Sequence, residues 1–314
     1  MNHTGRRKNP DLWLHRVALL TACLTFPLLF IGGLVTSKGA GLAVPDWPTT
    51  FGYNMFLYPW SKMVGGILYE HSHRLIASAV GLLTMILAFV FWRYGGRKWL
   101  CWLGLLALVL VIIQGILGGL RVLWVREGLA VLHACIAQAF FALTVSLVFF
   151  TSQEWSEDRP KFHSNGAEYT RRLCILTTTM IFFQGVFGAV LRHRGTMLDA
   201  HLFFAVLVTL QVILLGSKIL SAYSDQPRLV RSALHLNGLL ILQLGLGLGS
   251  YLGKFAPFGI ALPSSVVVAL TTTHLATGAL MLVTSLILTL RFYRLSIIPK
   301  PLMGQGFLSE EASI

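Results

Sequence analysis

The sequence predicts an all-α membrane protein, with eight transmembrane helices arranged as two pseudo-repeated four-helix bundles. Three observations predict it. The chain has 314 residues, 55% hydrophobic and only 12% charged, with mean hydropathy +0.71; a soluble domain carries about twice that charged fraction. Apolar runs of roughly the 20 residues that a bilayer-spanning helix needs recur along the whole length. Glycines and histidines recur within those runs at a period of two spans. Backbone groups in lipid must pair within their own segment, so the runs read as helices rather than open strands.

The runs fall at 17–37 (span 1), 72–92 (span 2), 99–120 (span 3), 129–151 (span 4), 172–192 (span 5), 198–217 (span 6), 230–252 (span 7) and 265–290 (span 8). A basic stretch precedes span 1, as it would in a signal peptide. The run is long, lacks a clear A-x-A site and opens a regular helix series, so it reads as a retained first helix.

The formal charge of +13 resembles a nucleic-acid signal until it is mapped. With the N terminus in the cytoplasm, the cytoplasmic segments hold 17 of the 25 Lys and Arg residues, including Arg6, Arg7, Lys8, Arg159, Arg171 and Lys300. The outer segments hold 8: Lys38, Lys62, Arg74, Arg121, Arg126, Arg192, Arg194 and Lys254. The positive-inside rule therefore places both termini in the cytoplasm of a multi-pass cell (plasma or inner) membrane protein. No nucleic-acid partner is expected; the partner is the lipid bilayer. Cys23, Cys101, Cys135 and Cys174 fall within or at the ends of spans, so no outer-loop disulfide or thiol relay is expected.

Each odd span carries glycines near the outer face, and each even span begins there with a histidine. Span 1 ends Ile31-Gly32-Gly33-Leu34 and span 2 brings His73. Span 3 ends with Gln114-Gly115 and Gly118-Gly119-Leu120-Arg121, and span 4 brings His133. Span 5 carries Gln184-Gly185 and Gly188 with Arg192 following, and span 6 brings His201. Span 7 carries Gln243, Gly245, Gly247 and Gly249, and span 8 brings His274. The chain thus divides into an N-terminal half, 1–152, a cytoplasmic linker, 153–171, containing Glu154, Glu157, Asp158, Arg159 and Pro160, and a C-terminal half, 172–314. Close helix packing alone would account for many of the glycines. The same missing side chains also leave room for a flat cofactor.

Four of the ten histidines occupy equivalent positions. His3, His15 and His163 lie in cytoplasmic segments, His193 in a short outer loop, and His235 near the cytoplasmic start of span 7. His71 is two residues from His73, roughly 200° around the helix, so the two face different partners. A single intramembrane histidine serves equally as a polar contact between helices. Four at matching depth point to function, because polar residues in spans are costly. Two per half supply both axial ligands of a haem iron, and bundle cores are where such sites are built. A zinc ion would need a fuller tetrahedral set. Arg74, Arg121 and Arg192 lie at the outer ends, either snorkelling to the interface or pairing with haem propionates.

Glu70 stands three residues before His73, on the same face if span 2 extends back that far. No carboxylate stands three before His133, His201 or His274; Asp199 is two before His201 and Glu127 six before His133. Glu70 reads either as an i, i+4 ion pair with Arg74 or as an acid/base group, which C–H oxidation needs and electron carriage does not.

Glu70-x-x-His73-Arg74, preceded by Gly39-Ala40-Gly41-Leu42-Ala43-Val44-Pro45-Asp46-Trp47-Pro48, resembles the haem A synthase family. The eight spans and four histidines extend the resemblance over nearly the whole chain. It implies that haem O, the substrate, binds in the N-terminal half between His73 and His133, and that haem B binds in the C-terminal half with His201 and His274 on its iron. Glu70 matches the family's acidic residue beside the oxidised methyl group. The implied reaction is stepwise oxidation of the C8 methyl of haem O to a formyl group, giving haem A for cytochrome oxidase. Implied partners are haem O synthase, the cytochrome oxidase assembly machinery, and a quinone or other electron acceptor. The outer-loop cysteine pair of many bacterial members has no counterpart here. The alternatives are a di-haem cytochrome b-like electron-transfer subunit and a transporter using histidines as proton relays.

Overall fold

The computed structural model describes residues 12–157, 161–163, 166–255, 259 and 261–297. Of the residues weighed above, His3, Arg6, Arg7, Lys8, Asp158, Arg159, Pro160 and Lys300 lie outside them. Among the described residues, eight helices are long and apolar enough to cross a membrane: spans 1 (Leu12–Ser37), 2 (Gly66–Tyr94), 3 (Lys98–Trp124), 4 (Glu127–Thr151), 5 (Ala167–Arg194), 6 (Leu198–Ala222), 7 (Pro227–Phe255) and 8 (Ser264–Leu295). The chain is a multi-pass membrane protein. Every helix overruns its apolar stretch by a turn or so, because a helix continues into the headgroup region where polar side chains are solvated. Span 2 begins at Gly66, so Glu70 lies inside the helix that carries His73.

Spans 1 and 2, 2 and 3, 3 and 4, and 4 and 1 pack together, and so do 5 and 6, 6 and 7, 7 and 8, and 8 and 5. Each group of four closes on itself, compatible with two four-helix halves. Spans 1 and 4 of the first group lie against span 8, and span 4 also meets span 5. The seam is apolar in its middle, where Phe141, Ala279 and Val283 are buried together and Phe26 meets Phe141 at 5.8 Å.

The packed cores sit at one end of each bundle. In the first, Leu14, Ala18, Leu87, Phe91, Leu100, Ala107 and Leu147 come from helix ends remote from the histidines. In the second, Val212, Leu215, Ile219, Leu229, Leu236, Leu288 and Phe292 do the same. Outward-facing Leu106, Ile112, Leu210 and Ile241 are exposed, as side chains meeting lipid tails must be. Buried hydroxyls are satisfied locally: Thr25, Thr84 and Thr177 each donate to the carbonyl four residues back.

The linker is tied to both bundles. Its short helix Gln153–Ser156 presents Glu154, which accepts from Arg291 Nε and Nη2 at 2.8 and 2.9 Å. Trp155 packs on Phe150 and Phe149, and Phe162–His163 pairs in parallel with Ser296–Ile297. At the opposite end, spans 3 and 4 are joined through 125–126, where Val125 adopts φ 49°. That value is an outlier for a β-branched residue. Such a tight turn sets the end of span 3 directly beside the start of span 4.

Candidate functional site

Packing of each odd span against the next even one brings one of its glycines against that span's histidine. A Cβ on Gly32 would meet His73 Cε1 at 3.0 Å, one on Gly118 would meet His133 at 3.5 Å, one on Gly188 His201 at 3.2 Å, and one on Gly247 His274 at 3.0 Å. Four glycines at equivalent positions thus make room for four imidazoles. Three are preceded, one turn earlier, by a glutamine bonded to the same histidine. Gln114 Nε2 donates to the His133 carbonyl and Gln184 Nε2 to the His201 carbonyl, both at 3.1 Å; Gln243 Nε2 lies 3.3 Å from His274 Nε2. Span 1 has Leu28 at that position.

The pairs fit axial haem ligation. His201 and His274 face each other across the second bundle, with ring centroids 6.4 Å apart. That span matches two nitrogen–metal bonds of about 2 Å plus the distance from each nitrogen to its ring centre. His73 and His133 lie within Coulombic range of each other and of Arg121 in the first bundle. The rings of His73, His133 and His274 are buried, each beside the backbone of the preceding odd span at Leu28, Gln114 and Gln243 respectively; their Nδ1 atoms make no hydrogen bond of full geometry there. No three His, Cys, Asp or Glu side chains among the described residues gather as an ion site. The histidine pairs stand toward the ends of the bundles away from the packed cores.

The first pocket has a roof that the second lacks among the described residues. Residues 38–65 fold back over the end of spans 1–4, held from below by Glu70 and Arg74. Glu70 is 4% exposed; its Oε2 accepts from the Val44 N–H at 2.9 Å and its Oε1 from Arg74 Nη2 at 2.8 Å. Arg74 donates further to the carbonyls of Asp46 (2.7 Å), Thr49 (3.0 Å) and Val44 (3.0 Å). Its guanidinium is therefore committed to the loop. Asp46 accepts from the N–H groups of Phe51 and Gly52 and from the Thr49 hydroxyl. Partial burial pushes the Asp46 carboxyl up, but these bonds outweigh it and hold it below its ordinary value of 3.8. His71 faces the loop: its Nδ1 lies 3.1 Å from the Thr50 hydroxyl and its ring 5.1 Å from Tyr58.

The loop closes onto span 3 at two glycine contacts. The Trp47 indole rests on Gly119, and Gly41 lies against the Arg121 guanidinium, so a Cβ at either glycine would overlap its neighbour. Arg121 has no ion-pair partner among the described residues, yet it lies in Coulombic range of Glu70, His73 and His133. Arg192, which the sequence groups with Arg121, is bonded instead to Gly33, Ser37 and Thr271. Relative to the ring-facing glycine, Arg121 is three residues on and Arg192 four. One residue is about 100° of helix, enough to turn Arg192 out of its own bundle and into the seam.

Sequence reasoning found the histidines and Glu70 but not which glycines meet the rings, nor the glutamine contacts. The available signal was the Gln-x-x-x-Gly spacing shared by spans 3, 5 and 7.

Fold and site define a polytopic helical membrane protein with a pair of histidines toward one end of each four-helix group. The family model of the cytochrome oxidase assembly protein (COX15-CtaA) matches residues 15–200, more than half of the sequence. The chain belongs to that family. The match spans Glu70, His73 and His133 and stops one residue short of His201. Similar proteins include a Heme A synthase of Shouchella clausii, 30% identical over 151 residues, covering 47% of this chain and 48% of that protein. One of Geobacillus kaustophilus is 26% identical over 191 residues, 55% of each chain. One of Lysinibacillus sphaericus is 30% identical over 180 residues, 54% of this chain and 55% of the relative. The chain thus spans about half the length of the curated relatives it matches.

Proposed function

We propose that this protein is a haem A synthase, oxidising the C8 methyl group of haem O stepwise to a formyl group and so supplying haem A for cytochrome oxidase. The observation that carries the reading is the asymmetry of two otherwise similar pockets. Among the described residues, only the pocket of His73 and His133 has a buried carboxylate, Glu70, one turn from a ligand.

In this reading haem O is held by His73 and His133, and haem B by His201 and His274. Haem B, when bound, supplies one-electron carriage. Glu70 is paired with Arg74 and oriented by the Val44 N–H. Its free lone pairs accept the protons released as the methyl carbon is oxidised. Water supplies the formyl oxygen, and the four electrons removed, with four protons, leave in two two-electron steps to a quinone or another membrane acceptor. Arg121, with its guanidinium uncommitted, pairs with a propionate of the substrate. Arg74 serves the same site through the loop that it anchors. The positive-inside rule supports cytoplasmic termini in the cell membrane and places both pockets toward its outer face.

Co-expression with a haem O source and analysis of extracted haems tests the proposal. Haem A or its hydroxylated precursor is expected. Recovery of only haems B and O would overturn it in favour of a di-haem electron carrier.

A further inference from the structure

Arg192 closes span 5 where helices of both bundles meet. Its Nη2 donates to the Gly33 carbonyl and the Ser37 hydroxyl of span 1, both at 2.6 Å, and its Nη1 to the Thr271 carbonyl of span 8 at 3.1 Å. Ser37 in turn meets the hydroxyls of Thr271 and Thr272 at 3.1 and 3.0 Å. Every one of these partners is neutral, and no carboxylate among the described residues pairs with Arg192. A guanidinium does not lose its proton in a protein, so a fixed positive charge is held in the seam by dipoles alone.

Its two anchor points lie next to the two pockets. Gly33 follows Gly32, the residue that backs the His73 ring. Thr271 is three residues, just under one turn, before His274 on span 8, and Arg192 lies in Coulombic range of that imidazole. A single side chain is therefore bonded both to the helix behind a ligand of the first pocket and to the helix bearing a ligand of the second.

We infer that Arg192 is a positioning residue shared by the two pockets, tying span 1 to span 8 and supplying a fixed positive charge that favours the reduced state of the haem in the C-terminal pocket. The inference rests on the haem reading above. Reduction lowers the positive charge on the iron, so a nearby fixed cation stabilises the reduced form. This draws electrons from the N-terminal pocket, where substrate is oxidised, toward the C-terminal one.

The test is a redox titration of the resident haem in the full-length protein, expressed without a haem O source. Wild type, Arg192→Lys, Arg192→Gln and Ser37→Asp are compared. Arg192→Lys keeps the charge and is expected to titrate close to wild type. Arg192→Gln removes the charge, and Ser37→Asp neutralises it in place; both are expected to shift the midpoint to lower potential. Haem-loaded Arg192→Gln and Ser37→Asp with wild-type midpoints would overturn the inference while leaving the haem reading intact. Wild-type protein devoid of haem would overturn both. If Arg192→Gln does not accumulate, Ser37→Asp, which retains the arginine, decides alone.

Discussion

Glu70 and Arg74 lie one helical turn apart on span 2 and meet at 2.8 Å in a pair whose side chains are 5% and 9% exposed. The pair joins two things that are separate in sequence, the floor of the first pocket and the loop above it. A buried ion pair contributes little net stability, yet removing one partner strands the other charge. Glu70 therefore has a structural duty beside the chemical one proposed for it.

Substitutions at Glu70 separate the two duties. Glu70→Ala is expected to leave haem B bound, to stop haem A formation, and to destabilise the protein by about 3 kcal/mol by stranding Arg74. Glu70→Gln retains one of the two acceptors and loses the base, so product stops while residues 38–65 keep more of their protection from protease. Haem extraction and limited proteolysis read the two effects independently. Undiminished haem A from Glu70→Gln would remove Glu70 from the chemistry.

The histidine pairs are expected to fail separately. His201→Ala or His274→Ala alters the Soret band of the resident haem or abolishes its binding. His73→Ala and His133→Ala leave that band in place and reduce retention of haem O. An unaltered haem B spectrum in both C-terminal variants would refute the assignment.

Glycine positions one turn apart give a matched contrast. An alanine at 188 would put its Cβ 3.2 Å from His201 Cε1, whereas nothing lies within 4 Å of the corresponding atom at Gly185. Gly188→Ala is expected to displace the ring and shift the haem spectrum, with overpacking costing about 1–3 kcal/mol. Gly185→Ala is expected to leave the spectrum unchanged. Equal spectra for the two would show that the glycine is not the seat of the imidazole.

The loop carries an acid-sensitive bond set. Asp46 has its folded pKa held below 3.8, so its contribution to loop stability is fully present above that value. It is lost as pH falls through the lower folded value. Protease protection of residues 38–65 should therefore hold from neutral pH to about pH 4 and decline below it. Asp46→Asn should reduce protection already at neutral pH. Identical digestion of variant and wild type at pH 7 would contradict this.

The spans, the histidine repeat and the placement of Glu70 on the face of His73 are legible in the sequence because they rest on local rules. Hydropathy over some twenty residues marks a bilayer helix, and helical periodicity puts residues three apart on one face. His71 is separated from His73 by the same geometry, and the structure turns it to Thr50 and Tyr58. The tertiary structure alone decides which glycine receives a ring, Gly118 rather than Gly115. It alone decides that Trp47 seats on Gly119, and that three similarly placed arginines have three different surroundings. Those outcomes depend on how each helix is rotated about its axis against its neighbours and on the path of a 28-residue connection between Ser37 and Gly66. Interhelix packing sets the first and loop hydrogen bonds the second, and neither is encoded within any one segment.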